Sequence, residues 1–169
     1  MSREWVVTLT DEEMSRAAQV AKELHDKLRA RGVRDAHGLQ KDALSWDFES
    51  GGAQAELAVA KFYEVKWSAS LPGHTAAGPD VGERTQVRSS AKPRSSHSLM
   101  IRPRDIEKYG DVPYVLVIQT KNEFEIKGWT MAFEGLKVAR CYDDNGRPPV
   151  YLVHESKLNP PDTLPAESV

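Results

Sequence analysis

Three polar residues near the middle of the chain have the types and the spacing for hydrolysis of a phosphodiester bond. Asp80 follows a proline, and Gln86 and Arg88 come shortly after it in "PDVGERTQVRSS". Residues two apart in a strand point to the same face, so Gln86 and Arg88 are predicted to share one side. Carboxylate and amide oxygens can hold Mg²⁺ or Mn²⁺, and a neighbouring cation can face the scissile phosphate. The stretch therefore predicts a divalent-metal site beside a strand.

Glu56 is a fourth candidate for this site. It lies within "AQAELAVAKFYEV", whose residues form helices well, and helical spacing puts it on the same face as Ala53, Ala60 and Tyr63. A carboxylate among small apolar neighbours is costly to bury without a partner. We therefore expect Glu56 either to join Asp80 and Gln86 around a metal ion or to lie at the edge of its face.

A purely structural interpretation of the same residues stays open. Asp80 could stabilise a turn, as aspartate after proline often does. Gln86 and Arg88 could form the solvent face of an edge strand, and Glu56 could pair with Arg88 in a salt bridge.

Basic side chains concentrate around this stretch. Between residues 84 and 104 they are Arg84, Arg88, Lys92, Arg94, Arg102 and Arg104. A local excess of positive charge suits a polyanion, because phosphate contacts release counterions. We expect all of these residues except Arg88 to follow a nucleic-acid backbone, and a solvated basic loop is the alternative.

Composition narrows the class of protein. A chain of 169 residues, of which 40% are hydrophobic, is long and apolar enough to bury a core. The single cysteine, Cys141, excludes an internal disulfide and a thiolate zinc cluster, and the five histidines show no ligand spacing. No apolar run approaches the roughly 18 residues of a membrane span, and the N-terminus lacks a signal-peptide pattern. We expect a cytoplasmic protein that does not bind membranes.

The first part of the chain is predicted to be helical. After a short strand, "EWVVTL", Thr10 and Glu13 form a capping box that begins a helix over residues 11–31. Apolar spacing over residues 35–49 allows a second helix. Ser50 and two glycines then introduce the helix that carries Glu56.

The remainder is predicted to be mostly strands: "EVKWSAS", "RTQVRSS", "SLMIRP", "YVLVIQT", "FEIKGWTMAF" and "VYLV". "YVLVIQT" is apolar enough to be covered on both faces, "RDIEKYG" predicts a short helix, and the change of apolar phase at Gly128 predicts a bulge. Helices followed by strands predict an α/β or α+β fold, with a mixed central β-sheet flanked by helices. "NPPDTLPAESV" predicts a disordered tail over residues 159–169.

In this order the motifs resemble the PD-(D/E)xK nuclease superfamily. "GAQAELAVAKFYEV" is similar to its first core helix with an embedded glutamate, Pro79-Asp80 to the PD element, and Gln86-Val87-Arg88 to (D/E)xK. "PDVG", "QVR", "IRPRD", "VLV" and "GW" also look like small proteins of phages and their bacterial hosts. The resemblance covers residues 51–158.

The resemblance implies a restriction-endonuclease-like core over residues 51–158 and a helical extension over residues 1–50, together one domain over residues 1–158. It implies a DNA-cleaving enzyme, often a homodimer, with Glu56, Asp80, Gln86 and Arg88 as catalytic residues. The first three of these would hold Mg²⁺ or Mn²⁺.

Two positions depart from the family pattern. Gln86 offers a neutral oxygen where the family has a carboxylate. Arg88 replaces lysine and cannot act as a general base, although it can stabilise charge on a phosphate. The alternative function is therefore a catalytically inactive relative that binds nucleic acid or protein, and a third is a phage assembly protein without affinity for nucleic acid.

Overall fold

The computed structural model describes residues 3–30, 43–70, 78–143 and 146–169, and it has the predicted mixed α/β architecture. The helices of this part are α1 (Asp11–Ala30), α2 (Ala43–Phe62), α3 (Pro103–Tyr109) and α4 (Ala132–Val138). Its strands are β1 (Val6–Thr8), β2 (Gln86–Ser90), β3 (Ser98–Ile101), β4 (Pro113–Thr120), β5 (Glu123–Met131), β6 (Arg140–Tyr142) and β7 (Val150–His154). None of the helices in these ranges is long and apolar enough to cross a membrane.

The strands form two sheets. The first has the order β1-β5-β4-β2 and is mixed, because β2 runs parallel to β4 while the other pairs are antiparallel. The second, β3-β7-β6, is antiparallel. Helices α1 and α2 cover one face of the first sheet, and the second sheet covers the other face.

Strand β4 separates two hydrophobic cores. Val115 and Val117 pack with α2, whereas Tyr114, Leu116 and Ile118 pack towards the second sheet. The alternation follows the two-residue period of a strand. The prediction that "YVLVIQT" is covered on both faces is confirmed.

Two local predictions are also confirmed. The capping box forms, since Thr10 N donates to Glu13 Oε2 over 2.8 Å and Glu13 N donates to Thr10 Oγ1 over 3.1 Å. Pairing of β4 with β5 skips Lys127 beside Gly128, whose φ is 151°. A residue without a partner and a glycine with positive φ make a β-bulge.

The helix that carries Glu56 begins earlier than predicted. We expected the two glycines to precede it, but α2 runs continuously from Ala43 through Gly51 and Gly52 to Phe62. Glycine weakens a helix by about 1 kcal/mol relative to alanine without ending it, and the buried residues that follow anchor this helix to the sheet. Residues 35–42 of the other predicted helix lie outside the described part of the chain.

Two predicted strands are wrong in part. "EVKWSAS" makes one isolated bridge, between Trp67 and Val81, and then a 3₁₀ turn over Ser68–Ser70. Trp67 is buried in the core between the first sheet and helices α1 and α2, which we call the helical core. The strand predicted through Phe133 ends at Met131, where α4 begins. Asp111 Oδ1 accepts a hydrogen bond from Phe133 N over 2.9 Å, which satisfies a backbone donor in the first turn of this helix.

The predicted disordered tail is wrong. Asn159 exchanges both backbone hydrogen bonds with Trp129, over 3.1 and 2.8 Å, and short 3₁₀ turns follow at Pro161–Thr163 and Ala166–Ser168. Leu164 is buried in the helical core, and Val169 packs against it. Because prolines favour such turns, a polar, proline-rich composition is compatible with an ordered segment once apolar residues find a core. We call residues 159–169 the C-terminal segment.

Candidate functional site

Asp80 lies beside the free edge of β2. A tight turn links it to this strand, since Val81 and Thr85 form an antiparallel bridge and Gly82 adopts a φ of 60°. The carboxylate Oδ2 of Asp80 accepts a hydrogen bond from Val87 N over 2.8 Å. The Asp80 side chain therefore accepts a hydrogen bond from the backbone of the edge strand, seven residues further along the chain, and does more than stabilise its own turn.

The C-terminal segment packs against this turn. A Cβ atom on Gly82 would lie 2.4 Å from the backbone carbon of Val169, so only glycine fits here. The hydroxyl of Thr85 donates to the carbonyl of Ser168. The position of Asp80 therefore depends on residues that are far away in the sequence.

Arg88 folds over the edge of the sheet to reach Asp80. Its Nη1 lies 3.7 Å from Asp80 Oδ2 and donates to the carbonyl of Val87 over 3.0 Å. Its Nη2 donates to Asp105 Oδ2 over 2.8 Å, and the guanidinium carbon lies 5.0 Å from the ring centre of Tyr114. Arg88 therefore bridges two aspartates above an aromatic face.

Asp105 is the site residue that sequence reasoning missed. It lies in α3 within "IRPRD", a motif that we considered only for its arginines. A lone acidic residue that follows several basic ones was the available signal. The structure shows that it neutralises Arg88.

Glu56 accepts a hydrogen bond from the indole Nε1 of Trp67 over 2.9 Å. Burial raises the pKa of Glu56 well above its ordinary value, and the negative charge of Asp80 raises it further. The hydrogen bond from Trp67 and the charge of Arg88 act in the opposite direction. Glu56, Asp80 and Arg88 thus form one electrostatic group, and the ion pairs of Arg88 are with the two aspartates instead of the predicted Glu56.

Gln86 lies on the face of the first sheet that is turned away from α2, the same face as Arg88. It pairs in register with Tyr114, while its neighbour Val87 pairs with Val115. Val87 and Val115 face α2, so Gln86 points with Tyr114 towards the second sheet and away from the helix that carries Glu56. Gln86 is only 2% exposed, so the interpretation of this residue as part of a solvent face is wrong.

The predicted basic residues fall into two groups. Arg84 lies exposed before β2, and Lys92 and Arg94 lie exposed in the loop that follows it. Arg102 and Arg104 lie close to Arg88: burial lowers the pKa of Arg102, and the positive charges of Arg88 and Arg104 lower it further. Arg104 Nε is 3.9 Å from Asp105 Oδ1.

Glu56 and Asp80 offer oxygens of the kind that a hard divalent cation prefers. Both are carboxylates, and their like charges are held near each other in a partly buried place, where a cation would relieve the repulsion. Within the ranges that the structure describes, no group of three or more histidine, cysteine, aspartate or glutamate side chains is arranged to hold a metal ion.

Compared with known protein families, curated proteins and solved structures, the chain matches none. The resemblance to PD-(D/E)xK nucleases therefore rests on the motifs in the sequence alone.

Proposed function

We propose that the protein is a metal-dependent nuclease of PD-(D/E)xK type that hydrolyses phosphodiester bonds of DNA in the cytoplasm. One observation carries the proposal: the glutamate of α2, the aspartate after Pro79 and the cation of β2 form one electrostatic group at the edge of the mixed sheet. These are the residue types that phosphodiester hydrolysis needs. They come from three separate parts of the chain.

Glu56 and Asp80 are the residues that would hold Mg²⁺ or Mn²⁺. The bound ion would supply an activated water and would stabilise charge on the phosphate. Asp80 is oriented by the hydrogen bond from Val87 N, and Glu56 by the hydrogen bond from Trp67. Both carboxylates thus have fixed positions before any ligand arrives.

Arg88 is the candidate for contact with the phosphate. Its guanidinium stays protonated and can donate two parallel hydrogen bonds to phosphate oxygens. Its side chain is 23% exposed, so an incoming phosphate can reach it. Gln86 pairs in register with Tyr114 and is buried, and we assign it a role in positioning this strand instead of in metal binding.

Cleavage of supercoiled plasmid and of branched DNA with Mg²⁺ or Mn²⁺ tests the proposal. We expect cleavage by the unmodified protein, and a loss of at least about a hundredfold in Asp80→Asn and in Glu56→Gln. Glu134→Gln is the matched control, because Glu134 lies in an exposed pair with Lys137. Equal cleavage by all four proteins would reveal a contaminating nuclease and contradict the proposal.

A catalytically inactive DNA-binding module is the second candidate. It is favoured because the described residues offer only two carboxylates, Glu56 and Asp80, for a metal ion at this place. It is also favoured because Arg88 already donates a hydrogen bond to Asp105. This function predicts that DNA is retained without product, and that the affinity falls steeply with salt for the unmodified protein and for Asp80→Asn alike.

A homodimer would allow both strands of a duplex to be cut. Among the described residues, the large apolar side chains of Phe133, Val138 and Tyr142 are exposed, and we propose that they take part in such an association. Sedimentation velocity tests this part of the proposal: a single monomeric species at all concentrations would contradict it.

A further inference from the structure

Three arginines lie near the carboxylate of Asp105 on one side of the candidate site. The two oxygens of Asp105 are shared between two of them: Oδ2 accepts from Arg88 Nη2 over 2.8 Å, and Oδ1 lies 3.9 Å from Arg104 Nε. Arg102 is the third, because it is close enough to feel the charges of Arg88, Arg104 and Asp105.

This arrangement resembles the coordination of a phosphate group. Guanidinium groups bind carboxylate and phosphate through the same forked geometry. Arg88, Arg102 and Arg104 lie near two carboxylates, Asp80 and Asp105, so positive charge is still in excess among these five residues and attracts a further anion. The carboxylate of Asp105 therefore occupies a place that would suit a phosphate.

The surroundings of Arg88 also favour a second arrangement of its side chain. The ring of Tyr114 lies beneath the guanidinium, and the Tyr114 hydroxyl is fully buried with no hydrogen-bond partner among the described residues. A buried hydroxyl without a partner is unfavourable. A rearrangement of Arg88 and Asp105 that admits a phosphate oxygen or a water would satisfy it.

We infer that Asp105 is an intramolecular competitor of the DNA phosphate: it holds Arg88 and Arg104 in the ligand-free protein and is displaced from them when a phosphate of the DNA backbone binds. The inference rests on the proposed function in that the ligand is DNA. In addition, Asp105 would limit the affinity of the site for DNA. Arg88 is paired until DNA arrives, so other anions have to displace the carboxylate as well.

The opposite role for Asp105 makes the opposite prediction. If Asp105 positioned Arg88 for the phosphate, removal of its charge would weaken the binding of DNA. If Asp105 competes, removal of its charge strengthens the binding. The sign of the change therefore decides between the two roles.

The test measures binding of a short fluorescein-labelled DNA duplex by anisotropy, at low ionic strength and with EDTA so that no cleavage occurs. We expect Asp105→Asn to bind about fivefold more tightly, as expected for loss of a partly exposed ion pair. Glu107→Gln is the matched control: it removes the same charge from an exposed position of the same helix, on another side, and should alter affinity much less. Unchanged or weaker binding by Asp105→Asn overturns the inference.

Additional variants keep the test decisive if Asp105→Asn folds poorly. Asp105→Ser should show the same sign, and Arg102→Gln and Arg104→Gln should each weaken binding several-fold in an otherwise unmodified chain. Full affinity in both arginine variants also overturns the inference. Retention of DNA without cleavage contradicts only the proposed catalysis, whereas failure of the unmodified protein to bind any duplex contradicts the competitor role itself.

Discussion

The indole of Trp67 donates a hydrogen bond to Glu56 over 2.9 Å, and this bond ties the loop after α2 to the carboxylate of the candidate site. This hydrogen bond gives the half-buried carboxyl group of Glu56 a polar partner. Loss of the donor should therefore affect both the fold and the site.

Trp67→Phe should destabilise the protein and raise the pKa of Glu56 further. The ring stays, but the carboxylate loses a donor that stabilises its charged form. We expect a loss of about 1–3 kcal/mol in the free energy of unfolding, measured by urea denaturation. Trp5→Phe is the control, since Trp5 packs against the same core and lies far from Glu56 in the sequence. A loss no larger than that of Trp5→Phe would show that the hydrogen bond contributes nothing.

Glu56→Gln should stabilise the metal-free protein at neutral pH. The pKa of Glu56 in the folded state lies above its ordinary value of 4.5, because of burial and the charge of Asp80. Above pH 4.5 the unfolded state loses this proton while the folded state retains it, so the glutamate lowers stability as the pH rises. Thermal unfolding in EDTA should show the gain near neutral pH and its disappearance below pH 4.5. A difference in stability that does not change with pH would show that the ionisation of Glu56 does not cause it.

Glu155 should show the opposite dependence on pH. It joins the sheets by accepting hydrogen bonds from Lys127 Nζ and from His97 N, both over 2.8 Å. Burial alone would raise its pKa, but these partners outweigh burial and hold the pKa below 4.5. The stabilisation is present above pH 4.5 and is lost as the pH falls through the lower, folded-state value.

Glu155→Gln should therefore destabilise the protein at neutral pH, by about 1–3 kcal/mol in urea denaturation. The difference from the unmodified protein should narrow in acid. Glu134→Gln, which alters an exposed pair, should change stability by less than about 0.5 kcal/mol. An equal effect at every pH would contradict the role of the charge.

Gly82→Ala should damage the turn that carries Asp80. Alanine would have to adopt the positive φ of Gly82, and its Cβ would lie 2.4 Å from the backbone of Val169, which would have to move. Gly110→Ala is the matched control, because its φ is 71° and no atom lies within 4 Å of the new Cβ. Gly110→Ala isolates the backbone strain, of about 1–3 kcal/mol. Gly82→Ala should be destabilised more than this, and equal losses in thermal unfolding would show that the C-terminal segment does not press on the turn.

The sequence was informative where local rules decide the structure. The capping box at Thr10, the doubly buried strand β4 and the bulge at Gly128 depend on residues that are near in the chain, or on an apolar pattern. The convergence of Asp80 and Arg88 followed from a tight turn before a strand.

Contacts between distant residues were beyond such rules. The pairing of Arg88 with Asp105 depends on how α3 is placed after β3, and the order of the C-terminal segment depends on a gap beneath the turn at Gly82. Gln86 alternates correctly with Val87, but the face to which it points is decided by the pairing of β2 with β4. Spacing alone could not supply that pairing.

We propose above all that Glu56 and Asp80 together hold a divalent cation. Anomalous diffraction from crystals soaked in Mn²⁺ tests it most directly, with Asp80→Asn crystals as the control. We expect a manganese peak between the two carboxylates that is absent from the variant. A map of the unmodified protein without a peak at that position, at saturating Mn²⁺, would contradict the account.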